Sequence, residues 1–319
     1  MGKTLQYELW QECNNRCKYC TLGKYAFHTP KEMKLEAITT AIVELQELKQ
    51  GEVSTLGFIG GEFFQGQLQD PEVKSAFMDL VDLSNHLLNE GIIEELWFNA
   101  TLTLGTQLDL YNTLDRIDQL DKVWLLTSYD TKGRFHTKDM LENWENQMAR
   151  LKLLYPELRR NTTMIITGDF IEQYLNDEID LKKFKQKYDT SIYLKTPVKP
   201  DDKSDWTKEE INNEMGFEFF PKKVNFIQFL LKYQAAEGEL AYNELFSNEM
   251  KAEELHKNFN DENLRNVTFT RTKDYVETLD CDSSLKVIES LPCGHSNIYN
   301  CYVDYDGCVV CDKKMVQGL

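Results

Sequence analysis

Residues 13–20 read Cys-Asn-Asn-Arg-Cys-Lys-Tyr-Cys, three thiols in eight residues with CxxxCxxC spacing. Thiolates are soft, charged ligands that suit iron–sulfur clusters and zinc. Three ligands from one short loop leave a fourth metal position open, as a reactive centre requires. A structural zinc held by Cys13, Cys17 and Cys20 with a distant fourth ligand is the competing chemistry. The other five cysteines, Cys281, Cys293, Cys301, Cys308 and Cys311, form a second group, and residues 21–280 contain none. A reducing compartment does not keep a disulfide framework, so two clusters of thiols point to two metal sites. In the second, Cys308-Val309-Val310-Cys311 is a CxxC knuckle, and Cys293 with Cys301 or His295 completes a tetrahedral zinc set.

The elements that must position these groups follow from hydrophobic periodicity. Leu5–Trp10, Thr55–Ile59, Leu96–Asn99, Val123–Thr127, Met164–Thr167 and Ile192–Lys195 read as six strands. Helical patterns lie between them. The first is expected to open at Thr29-Pro30 as cap and first-turn proline and to end at Gly51, with Ile38, Ile42, Leu45 and Leu48 on its face. The second opens at Asp70-Pro71 and carries Val73, Phe77, Leu80 and Leu87. Later helices end near Leu120, Tyr155 and Lys187. Such alternation predicts an α/β fold with a parallel sheet, closed or partly closed into a barrel whose post-strand loops carry the chemistry. The pattern breaks over Pro197–Asp205. Trp206 to about Leu264 then reads as helical, with Phe226, Phe229, Leu230 and Tyr233 on one face. Near the end, Tyr305-Asp306-Gly307 is a turn between Tyr302-Val303 and Val309-Val310, a β-hairpin pattern. The expected divisions are 1–198, 199–275 and 276–319.

The loop Cys13–Cys20, with Tyr19 before its last cysteine, resembles that of the radical S-adenosylmethionine (AdoMet) enzymes, CxxxCx(aromatic)C. The resemblance covers roughly residues 1–198 and implies a partial (β/α)6 TIM-like barrel with a helical segment and a small Cys-rich extension. It implies that Cys13, Cys17 and Cys20 hold a 4Fe–4S cluster whose fourth iron binds AdoMet. Gly60-Gly61-Glu62 stands where the family holds the methionyl amino group, and a carboxylate suits an ammonium. Tyr19 would pack near adenine, Ser128 and Asp130 would meet ribose hydroxyls, and Asn99 would add a contact. Tyr19 as core filler and Asp130 as a turn residue in Asp-Thr-Lys-Gly remain open beside these roles. Thr167-Gly168 matches the family's fifth-strand motif only loosely. Cys293-Gly294 and the Gly307 turn with Cys308 and Cys311 are similar to SPASM and twitch extensions, which bind auxiliary iron–sulfur clusters. That pattern spaces its cysteine one residue further from the turn glycine, so an auxiliary cluster and zinc both stand for Cys281, Cys293, Cys301, Cys308 and Cys311.

The chain has 319 residues, a formal net charge of −17 and a sequence pI near 4.8. That acidity disfavours a nucleic-acid polymer as partner. No apolar leader, myristoylation signal or membrane-spanning stretch reads out of the sequence, so a cytoplasmic location and no membrane partner are expected. An extension of this kind makes a peptide or protein the leading substrate, with a nucleotide, nucleoside or base as the alternative. A flavodoxin or ferredoxin is the expected one-electron donor. A non-catalytic iron–sulfur or zinc scaffold is the reading from another class.

Overall fold

The computed structural model describes residues 4–20, 28–105, 107–195, 197, 205–222, 225–226, 228–229, 232–233 and 236, together with the backbone of four short strands nearer the C-terminus. Six strands form one parallel sheet in sequential order: β1 (Thr4–Trp10), β2 (Thr55–Gly60), β3 (Glu95–Asn99), β4 (Val123–Tyr129), β5 (Arg159–Ile165) and β6 (Ser191–Lys195). Helices α1 (Lys31–Gln46), α2 (Pro71–Asn89), α3 (Leu108–Leu114) and α4 (Lys138–Leu154) make the first four connections, and α5 (Gly168–Leu175) and α6 (Leu181–Tyr188) make the fifth. This is an α/β architecture compatible with a partial barrel.

Burial alternates with period two along β3 to β6, whereas Thr55 to Phe58 of β2 are all buried. Leu96 and Phe98 are buried, whereas Trp97 and Asn99 are half-exposed, and register carries the pattern sideways. Phe58 lies opposite Phe98, and Leu96 opposite Val123. The buried face joins Ile38, Ala41 and Leu45 of α1 and Val73, Phe77, Leu80 and Val81 of α2 in one apolar core. Asn99 and Ser128 fall on the other face.

Contacts divide the chain into two units, residues 1–163 with 182–192 and residues 164–181 with 193–319. In the first, Asp70 caps α2 as its sequence requires, accepting from the N–H groups of Glu72 (2.9 Å) and Val73 (3.2 Å). The expected cap of α1 differs. Pro30 holds the cap position without a side-chain bond, because proline carries no side-chain acceptor, and the Thr29 N–H donates to the Glu12 carboxylate at 3.1 Å. The helix also ends at Gln46, and Gly51 (φ +85°) serves the turn into β2 instead. β5 starts at Arg159, well ahead of the expected Met164. Its first residues are polar, so hydrophobic periodicity passes over them. Arg160 is nonetheless buried through its pair with Asp189, and the Thr162 and Thr190 hydroxyls meet at 3.0 Å.

In the second unit, Thr167 caps α5 by accepting from the Phe170 N–H (3.1 Å). The expected long helix from Trp206 is interrupted. α7 (Lys208–Met215) opens with a capping box between Thr207 and Glu210 and stops at Gly216, whose φ of +74° is left-handed. Phe226, Phe229 and Tyr233 are buried, as their spacing predicts, beside Phe170 and Tyr174. β7 (Val267–Phe269) pairs antiparallel with β8 (Leu285–Val287), and β9 (Cys301–Val303) with β10 (Val309–Cys311). The latter pair is the hairpin expected around Gly307, with Cys301 in register opposite Cys311. Leu230, Cys281, Cys293, His295, Cys308 and residues 198–204 of the boundary lie outside the described residues. No helix among the described residues is long and apolar enough to cross a membrane.

Candidate functional site

The CxxxCxxC loop leaves β1 without regular secondary structure, and the residues around its cysteines fix it to four elements. Glu12, just ahead of Cys13, pairs with Lys34 of α1 at 2.7 Å. Lys34 also donates to the Gln67 carbonyl (3.2 Å) and sits 5.3 Å over the Trp10 ring. Asn14 reaches the loop after β2, donating to the Gln65 carbonyl and accepting from Gln67 Nε2 at 3.0 Å. Asn15 reaches the loop after β3, where Thr103 Oγ1 donates to its Oδ1 at 2.7 Å. Lys18 and Tyr19 reach the loop after β4. The Lys18 N–H donates to the Gly133 carbonyl at 2.9 Å, and the Tyr19 ring lies against Gly133 so closely that a Cβ there would stand 2.1 Å from Cε1. A loop too polar to fold through burial is thus positioned by hydrogen bonds to three successive strand ends.

Cys13, Cys17 and Cys20 are free thiols, each half-buried. Burial pushes Cys13 up to about 11, with the charges of Glu62, Cys17 and Cys20 adding to the rise. Burial also raises Cys17, although Arg134 opposes it. Thiols that feel one another's charge on one loop are a donor set suited to iron–sulfur or zinc, and metal binding would displace their protons. The residues present therefore fit such a group in donor type. Among the described residues, no three His, Cys, Asp or Glu side chains converge closely enough to hold a metal ion.

Gly60 and Gly61 are required by the chain itself. A Cβ at Gly60 (φ +140°) would stand 2.2 Å from the Trp10 carbonyl oxygen, and one at Gly61 2.1 Å from that of Glu12. This close approach lets the Gly61 and Glu62 N–H groups donate to those carbonyls at 2.9 and 2.8 Å. Glu62 is fully buried. Its Oε1 accepts from the N–H groups of Phe63 (3.0 Å) and Phe64 (2.8 Å), and its Oε2 from that of Thr101 (2.6 Å). Burial raises its pKa against the pull of those bonds. Leu102, next to Thr101, is buried in the left-handed region at φ +60°, so the carboxylate holds a strained segment in place.

Asp130 takes the turn role left open by its sequence. It is buried, accepts from the N–H groups of Lys132 (2.8 Å) and Gly133, and is raised by burial. That turn sets Gly133 beneath Tyr19. Asn99 and Ser128 differ: both are half-exposed on the sheet face away from the helices, and neither side chain has a partner among the described residues. Of the residues expected to bind a cofactor, Glu62 and Asp130 therefore hold the chain's own loops, while Asn99 and Ser128 remain available. Glu12, Lys34, Gln65, Thr103 and Arg134 were not singled out from the sequence. Only the paired carboxamides Asn14-Asn15 between two cysteines carried a local signal.

Comparison of the chain with protein-family models finds no family that matches, and comparison with curated proteins finds no relative.

Proposed function

We propose that this chain is a radical AdoMet enzyme built on a partial (β/α)6 barrel with a helical segment and a metal-binding Cys-rich extension. The observation that carries the proposal is the cysteine loop, whose intervening residues Asn14, Asn15, Lys18 and Tyr19 are each fixed to a loop following β2, β3 or β4. Three free thiols share one short loop at the end of β1, on the side of the sheet where this fold class does chemistry. Cys13, Cys17 and Cys20 would hold a 4Fe–4S cluster, and Asn99 and Ser128 are the polar side chains free to meet AdoMet. When bound, the cluster and AdoMet supply a one-electron cleavage that yields methionine and a 5′-deoxyadenosyl radical able to take hydrogen from a substrate. The protein's part is to orient and exclude water. The Glu12–Lys34 pair and the Tyr19–Gly133 contact keep the loop from reorganising, and Glu62 anchors the turns beside it. A peptide or protein is the proposed substrate, and a flavodoxin or ferredoxin the proposed donor.

A non-catalytic iron–sulfur or zinc protein is the second reading, and one observation favours it. The Glu62 and Asp130 carboxylates are both occupied by backbone N–H groups of this chain. Anaerobically reconstituted protein given AdoMet and dithionite separates the two. The enzyme releases 5′-deoxyadenosine, and Cys17→Ala abolishes release while leaving the fold intact. Release unchanged in Cys17→Ala would remove the loop from the chemistry. AdoMet that fails to bind a cluster-loaded protein would favour the scaffold.

A further inference from the structure

The strand order leaves β1 at one edge of the sheet, so its backbone groups that point away from β2 have no strand partner among the described residues. Folded proteins usually blunt such an edge with lysine, proline or a short strand. β1 is seven residues long and contains neither lysine nor proline. Its one charge, Glu8, is exposed and has no hydrogen bond or ion pair among the described residues. β6, the opposite edge, has five residues and ends on Lys195. Pairing of β1 with β2 shifts register between Glu8 and Trp10, an irregularity that bends a strand. At that bend a groove of about 570 Å³ opens between β1 and α1. The helix runs antiparallel to the strand. The Tyr7 hydroxyl donates to Glu44 near the helix end at 2.8 Å, whereas Met33 and Ala37 near the helix start line the groove with Glu8, Gln11, His28 and Pro30. Met33 is 58% exposed there. The groove thus combines an unpaired strand, an apolar wall and an acid at its rim.

We propose that β1 and this groove dock an extended, basic segment of a peptide or protein. The segment adds to the sheet as one more strand, sets an apolar side chain against Met33 and Ala37, and brings a lysine or arginine beside Glu8. Only another extended backbone satisfies a row of strand N–H and C=O groups, which sets the class of occupant. Charge then chooses among extended segments. A second copy of this chain would bring a net charge of −17 against −17 and another Glu8, whereas a basic segment complements both. Gln11 stands two residues ahead of Cys13, so a segment held in the groove is led to the cysteine loop. The inference rests on the peptide part of the function proposed above and needs neither metal nor AdoMet.

The test is fluorescence anisotropy on full-length, reduced protein without AdoMet. The probe is a dye-labelled, blocked peptide, Lys-Val-Lys-Leu-Lys-Val-Lys, whose alternation favours an extended chain. Two N-methylated forms remove the backbone donors of either its odd or its even residues and keep every charge. Strand addition uses one of these sets, so one form should bind about tenfold more weakly than the other. Ala37→Trp fills the groove and should weaken the parent peptide about tenfold. Glu8→Lys should weaken it about fivefold, the scale of an exposed ion pair. Glu90→Lys makes the same change of charge at the exposed end of α2 and should bind as wild type does. Equal binding of the two N-methylated forms would overturn strand addition. Equal loss in Glu8→Lys and Glu90→Lys, or full binding by Ala37→Trp, would overturn the site. Wild type that leaves the peptide free at ~1 mM, as a monomer or as a dimer closed on its own edges, would overturn the proposal too. Each of these failures leaves 5′-deoxyadenosine release to be judged separately, and absent release beside methylation-sensitive binding would leave the docking site standing.

Discussion

Replacing Glu62 with alanine should destabilise the protein before any ligand is considered. The carboxylate accepts three backbone N–H bonds, from Phe63, Phe64 and Thr101, at 2.6–3.0 Å, and it is fully enclosed. A buried donor left without its acceptor costs roughly 1–3 kcal/mol. Three such donors, with a water entering part of the vacated space and the carboxylate's own burial cost relieved, give a loss of about 3–5 kcal/mol. That is a large share of the ~5–15 kcal/mol that holds a domain together. Glu62→Gln keeps one oxygen for Phe63 and Phe64 but turns an amide N–H₂ toward the Thr101 N–H, so about 1–3 kcal/mol is expected. Burial raises the Glu62 pKa in the folded state, so its contribution is complete below the unfolded value of 4.5 and declines as pH rises through the folded one. The alanine deficit should therefore be larger near pH 4 than near pH 7. Denaturant unfolding of reduced, metal-free protein without AdoMet measures this. An alanine variant within ~0.5 kcal/mol of wild type, the scale of a surface change, would refute the clasp and return Glu62 to a ligand role.

Two further outcomes test the same positioning logic. Gly61→Ala drives a Cβ to 2.1 Å from the Glu12 carbonyl and 2.7 Å from that of Gln11. It should cost more than ~3 kcal/mol in ligand-free protein, read as a lowered melting temperature, and an unchanged melt would mean the glycine serves a ligand instead. Lys34→Met removes the partner of Glu12, whose pKa burial pushes up but Lys34 and the Thr29 N–H bring below the ordinary value. A depressed carboxylate contributes above its unfolded pKa of 4.5, and that contribution is lost as pH falls through the folded value. Lys34→Met should thus lose about 2–3 kcal/mol at pH 7 and converge on wild type in acid. Parallel pH–stability curves for the two proteins would contradict the pairing.

The sequence by itself determined the order of strands and helices along the chain, because apolar periodicity and the Asp70-Pro71 cap are local signals that burial and backbone hydrogen bonding then obey. It also placed the three thiols on one loop at the end of β1, since eight residues of chain cannot carry them far apart. Its errors were at polar places. β5 was read late because Arg160 and Thr162 enter the interior through partners, Asp189 and Thr190, that lie some thirty residues away. Only the tertiary structure decided what the polar residues do. Gly60 and Gly61 look the same in sequence whether a ligand or the chain's own 10–12 segment approaches them. Glu62 and Asp130 look the same whether they face an ammonium, a ribose or a row of N–H groups. Those identities depend on which donors a three-dimensional path brings within 3 Å. Lys34, Gly133 and Arg134 stand far from the cysteines along the chain, and they join the site because parallel strands set successive loops side by side at one end of the sheet.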